Sequence, residues 1–142
     1  MDISKINIVK AATDGIDVDI FNPATGDKTD LKIRVVGAMN AAYKDEVFIL
    51  RAEIEDFKEQ NKLPADASNK QKAEFDIKVG KFDDNLTAKF LAKYTLGWEG
   101  MEENGKPVPF SKQEAERIYA EYPIILSQVQ RAMTDLANFM KA

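Results

Sequence analysis

The apolar residues of this chain change their spacing once, and that change limits the fold more than any other feature. Over the two runs of 15–37 they alternate with polar residues. After residue 38 they recur every three or four positions. The segment Ile16-Asp17-Val18-Asp19-Ile20-Phe21 alternates apolar and acidic over its first five residues, and Leu31-Lys32-Ile33-Arg34-Val35-Val36 alternates again. A period of two places one face of a strand on a core and the other in water. Between the runs lies Asn22-Pro23-Ala24-Thr25-Gly26-Asp27, where proline fixes φ and glycine permits positive φ. Two alternating runs around such a turn read as a β-hairpin over 15–37. A lone hairpin is marginal in water, so its apolar face needs helices or a partner's strand.

From Asn40 onward, Tyr43, Val47, Leu50, Ile54 and Phe57 follow at spacings of four, three, four and three. That is one face of an amphipathic helix, which stops near Asn61. A polar connector over 61–69 leads to a second helix over about 70–96, with a stripe of Phe75, Val79, Phe82, Leu86, Phe90 and Tyr94. Gly80 and Asp83-Asp84-Asn85 weaken its middle, since glycine costs about 1 kcal/mol against alanine in a helix, so a kink or break is expected there. A turn region at 97–111 follows, with Asn104-Gly105 as its turn signal and Pro107 and Pro109 holding the chain extended. Ser111-Lys112-Gln113-Glu114 fits a capping box at a helix start, and Pro123 takes the first position of a last helix. That helix carries Ile125, Val129, Met133 (or Ala132), Leu136 and Phe139 (or Met140). Residues 2–12 read as a further short helix with Ile3, Ile6, Ile8 and Val9 on its apolar side. The expectation is an α+β fold in a single domain over 1–142: an N-terminal β-hairpin packed on a helix-dominated bundle of about four helices, the helical part spanning 38–142.

Composition removes most chemistry. The chain of 142 residues has no histidine and no cysteine. The commonest general base, thiolate metal sites and disulfides are therefore absent. Four serines remain, no Gly-x-Ser-x-Gly turn surrounds any of them, and Ser111 is accounted for as a cap. Asp14, Asp17, Asp19 and Asn22 fail as a calcium loop. Counting from Asp17, the sixth residue is Asn22 and the twelfth Lys28, where glycine and glutamate are needed. These acids read as the solvated face of a strand. Adjacent acids such as Asp83-Asp84 and Glu102-Glu103 do not share a helix face, so they form no acid–base pair. No phosphate loop occurs. A net charge of −4 with interleaved signs shows no basic stripe for nucleic acid. No apolar run approaches the roughly 18 residues of a membrane span, and Met1-Asp2-Ile3-Ser4-Lys5 lacks the pattern of a signal peptide. No enzyme activity, cofactor, metal, nucleic acid or membrane is expected.

What is left is apolar and aromatic surface. Trp98, Phe110, Tyr119 and Tyr122 cluster around 97–123. Large rings with polar tips anchor interfaces, although each is first to be read as core. The candidate partner-binding residues are Tyr43, Val47, Trp98, Phe110, Tyr122, Ile125, Val129 and Phe139.

Gly97-Trp98-Glu99-Gly100, then Gly105-Lys106-Pro107-Val108-Pro109-Phe110-Ser111, then Tyr122-Pro123 with Ile125, Gln128 and Val129, and finally Ala137-Asn138-Phe139, resemble the tail assembly chaperones of tailed bacteriophages. The Asp14-Gly15 break, the Asn22-Pro23-Ala24-Thr25-Gly26 turn and Gly37 with Tyr43 six residues on are similar too. The resemblance implies a non-catalytic helper in the host cell cytoplasm. Such a protein binds the tape measure protein, helps tail tube protein assemble around it, and is absent from the finished virion. Self-association is left open. The alternative expectation is a structural tail or neck component of the virion. An enzyme or its regulator, and an inhibitor of a host protein, are more distant.

Overall fold

A computed structural model describes residues 1–135 and Asn138. The hairpin forms as the alternation requires. Strand β1 (Ile16–Phe21) pairs antiparallel with β2 (Lys28–Val35), placing Asp17 opposite Arg34 and Asp19 opposite Lys32. Val18, Ile20, Ile33 and Val35 face inward and are buried. The acids lie on the outer face, where Asp17 pairs with Arg34 at 3.4 Å and Asp19 with Lys28 at 3.5 Å. This is the solvated strand face that the failed calcium motif implied.

Two helices precede and follow the hairpin. The N-terminal residues divide into a 3-10 turn (Ile3–Ile6) and α1 (Ile8–Asp14). Their expected apolar side is not covered: Ile3, Ile6 and Val9 are exposed, and only Ala12 of α1 is buried. Asn40 caps α2 (Ala41–Gln60), its side chain accepting the Tyr43 N–H at 3.1 Å.

The second long helix departs from expectation in three ways. First, α3 (Asn69–Lys93) is continuous. Gly80 and Asp83-Asp84-Asn85 do not break it. The Phe75–Val79–Phe82–Leu86 stripe stays in register against α2, and Phe57 stacks on Phe82 with centroids 4.0 Å apart. Second, its start is set by a full capping box, Ser68 with Gln71, at distances of 3.1 and 2.8 Å. Third, it ends at Lys93, and Thr95–Glu99 is a strand, β3, which pairs antiparallel with β2. The sheet order is β1-β2-β3. Leu96 is the extra residue of a bulge, since Val35 opposes Thr95 while Arg34 opposes Gly97.

Short strands β4 (Glu102–Glu103) and β5 (Lys106–Pro107) flank the Asn104-Gly105 turn. Helices α4 (Lys112–Glu121) and α5 (Pro123–Thr134) follow. Ser111 caps α4 by accepting the Glu114 N–H at 3.0 Å, but the Glu114 carboxylate turns to Arg117 instead of completing the box. The core lies where the inner sheet face meets the end of α3, α4 and α5, around Ile33, Leu91, Ile118, Tyr119 and Met133. The fold is α+β, with a third strand added to the expected hairpin. The five α-helices among the described residues are the short N-terminal one and the four expected after the hairpin.

Gly100 has φ +76°, and a Cβ there would lie 2.4 Å from the Asp30 carbonyl oxygen. Neither can relax without moving β2, so Gly100→Ala should cost about 2–3 kcal/mol in chemical denaturation. Gly97→Ala meets nothing within 4 Å. It should stay within about 0.5 kcal/mol of wild type in the same assay.

Candidate protein-binding surface

No residue from 44 to 87 is buried. Helices α2 and α3 therefore form an antiparallel pair that lies largely off the core. Three contacts mark its register. Glu46 pairs with Lys93 near the core, Phe57 stacks on Phe82 midway, and Lys78 Nζ donates to Asn61 Oδ1 at 2.6 Å at the far end. At the root, the rings of Tyr43, Phe90 and Tyr94 pack within 4.8–5.3 Å of one another. Burial raises the Tyr43 phenol, and burial followed by the neighbouring Glu46 carboxylate pushes Tyr94 up to about 12. Both stay neutral and structural at any ordinary pH.

The pair leaves large apolar side chains in water. Phe48 is 66% exposed, Ile49 58% and, near the far end, Ile77 58%. The Arg51 guanidinium sits 5.8 Å from the Phe48 ring centroid, which covers one face only. Beside Ile49 a trough of about 590 Å³ opens. Helix α3 packs against both α2 and α4 and forms its floor with Leu86 and Phe90. Ile49 and Leu50 line the α2 side, and Gln113 and Glu116 the α4 side.

The expected partner-binding residues do not make one surface. Tyr43 and Val129 are buried in the core of the chain itself, so as folded neither offers area to a partner. Their stripes point inward because the core needs them. Val47 and Ile125 are half-buried and packed against that core. Trp98 and Phe110 come together, edge to face with centroids 4.9 Å apart. The Trp98 indole N–H donates to the Val108 carbonyl at 2.7 Å, so the pair staples the 97–111 turn region onto the core. Tyr122 is exposed, and its hydroxyl donates to Glu103 at 2.5 Å. Phe139 lies outside the described residues. Phe48, Ile49 and Ile77 were not among the candidates. The available signal was the unbroken run Val47-Phe48-Ile49-Leu50, which is wider than one helical stripe can bury.

The 38–142 segment matches the model of the YdaY prophage protein family. The chain belongs to that family. It is a phage-derived protein, and the match takes in α2 through α5 together with β3. No curated protein and no solved structure matches the chain. Among the described residues, no helix is long and apolar enough to cross a membrane, and no cluster of three or more acids could hold a metal.

Within this family segment, Arg117 ties α4 to the β4–β5 turn. Its guanidinium reaches Glu103 at 3.1 Å, Glu114 at 2.7 Å and Glu121 at 3.0 Å. The Arg117 hydrogen bond, aided by Tyr122, lowers the Glu103 pKa below its ordinary value of 4.5. A depressed carboxylate adds stability that is complete above its unfolded pKa and fades as pH falls through the folded one. The thermal midpoint should therefore fall on acidification below 4.5, and Glu103→Gln should flatten that part of the profile while lowering the neutral-pH midpoint. Calorimetry from pH 7 to about 3 checks both.

Proposed function

We propose that this chain is a non-catalytic phage tail assembly chaperone that binds the tape measure protein of its own phage through the α2–α3 pair. The observation that carries this reading is the exposure of Phe48 and Ile49 beside an apolar trough, on the 44–87 stretch of α2 and α3 that holds no buried residue. A long helical client with apolar stripes is the kind of partner such a surface fits. Membership of a prophage protein family supports the phage setting, and the 97–139 resemblance supports the chaperone role.

Energetics agree with a reversible complex. Covering a Phe or Ile side chain returns about 1.5–3 kcal/mol each. Micromolar affinity needs about 8 kcal/mol. The two exposed residues fall short alone, so half-buried Leu50 and Leu86 must share the contact. Their partial cover keeps the total moderate, and tail tube protein can then displace the chaperone.

Co-expression with the tape measure protein should raise its soluble yield and allow its capture on tagged chaperone. Phe48→Ser with Ile49→Asn should lower capture at least tenfold and leave the melting temperature within about 2 °C, because neither side chain supports the core. Failure of the wild-type chain to capture or solubilise the tape measure protein defeats the proposal. So does its stoichiometric presence in purified virions, which marks a structural tail or neck part.

A further inference from the structure

The trough between α2 and α4 has a chemistry of its own. Its apolar surface comes from Ile49 and Leu50 on one wall and Leu86 and Phe90 on the floor. With their polar neighbours, the lining residues fall at 46, 49, 50 and 53 on α2 and at 86, 89, 90 and 93 on α3, over about two helical turns, or some 10 Å. Both walls are helices whose backbone hydrogen bonds are internal, so an extended strand would find no ladder to join. An incoming helix needs none and packs ridge into groove.

Its charged groups are not equivalent. Glu46 is paired with Lys93, closing the end nearest the core. The Lys112 ammonium is spent on the carbonyls of Lys93 and Thr95, at 2.7 and 2.5 Å. Four lining charges have no ion-pair partner among the described residues: Lys112, which those carbonyls hold, Glu53 on the α2 wall, Glu116 on the α4 wall and Lys89 on the floor helix. A carboxylate thus stands on each side of the apolar floor, and among the described lining residues Lys89 is the unpaired ammonium that no backbone carbonyl holds.

Resting on the binding role above, we infer that the trough takes an amphipathic helix of the client whose apolar stripe is bordered by Lys or Arg on both edges. The edges meet Glu53 and Glu116, and the stripe covers Ile49, Leu50, Leu86 and Phe90. Lys89 disfavours a helix with more than one basic residue over the floor. This is the trough's selectivity, separate from its grease.

The probe is a synthetic helical peptide of about 18 residues with an i, i+3, i+4, i+7 apolar stripe bordered by lysines. It is compared with the same peptide bordered by glutamates, using fluorescence anisotropy on the intact chain. The lysine form should bind at least tenfold tighter, and more weakly as salt rises. The double variant Glu53→Lys, Glu116→Lys should reverse the preference. Both positions are exposed, and circular dichroism melts will show that the fold is kept. Equal affinity for the two peptides, no binding of either, or binding untouched by the double variant and by Ile49→Asp overturns the inference. Concentration-dependent self-association that Ile49→Asp abolishes also overturns it, since a second copy then fills the trough. Peptide binding as expected, with no capture of tape measure protein, would strike the chaperone reading alone.

Discussion

The junction between α3 and β3 sets the geometry of everything around it. The chain passes from helix to strand at Tyr94 with no loop between. Three polar side chains, those of Thr95, Tyr119 and Lys112, make that abrupt turn tolerable. The Thr95 hydroxyl donates to the Leu91 carbonyl at 2.8 Å, so its lone pairs are left to accept from the Tyr119 hydroxyl at 2.7 Å. Thr95 is fully buried, and Tyr119 nearly so, with its phenol pushed up to about 12 by burial. The Lys112 ammonium then bonds the carbonyls of Lys93 and Thr95, supplying positive charge where the macrodipole of α3 is negative. Desolvation lowers the Lys112 pKa, a cost that the carbonyl bonds offset. One helix, one strand and α4 are thereby locked in a single small volume.

That lock explains why two long helices can stand off the core. Only the last turns of α3 are buried, at Ala88, Phe90, Leu91 and Ala92, and only Tyr43 of α2 joins them. Beyond this root the pair is held by its own stripe and by surface ion pairs that each contribute little. Its local stability must therefore be lower than that of the sheet and of α4. Surface of this kind yields area to a partner cheaply, because little of the chain's own packing has to be given up.

The sequence made the hairpin and the long helices readable, because their apolar periods are long and clean. The third strand was not readable. Thr95-Leu96-Gly97-Trp98-Glu99 is short, contains glycine, and carries a bulge that spoils its alternation. It is a strand because β2 is there to pair with it, which is tertiary information. The continuity of α3 was hidden for a related reason: the local cost of Gly80 is outweighed by a stripe whose partner lies on another helix. Ser68 sat unread in a polar connector although Gln71 completes its box. The candidate surface was the least legible part. Period analysis finds the residues that face inward, so it selected Tyr43 and Val129, while the exposed Phe48 and Ile49 are the overflow of a stripe too wide for one helix face.

The prophage family segment begins at Ala38, just past the hairpin, yet it includes β3. Alone, that segment would leave β3 without a neighbouring strand and Trp98 without Ile33, its partner across the sheet. Ile33 and Val35 are fully buried, and the surface they cover belongs to the family segment. Residues 16–35 are thus an integral wall of the core. The Gln128 side chain makes the same point from the other side. It accepts the Phe21 N–H at 2.8 Å and donates to the Phe21 carbonyl at 2.9 Å, standing in for a strand at the β1 edge. A helix of the matched segment therefore satisfies the hairpin's edge, while the hairpin satisfies the segment's lone strand.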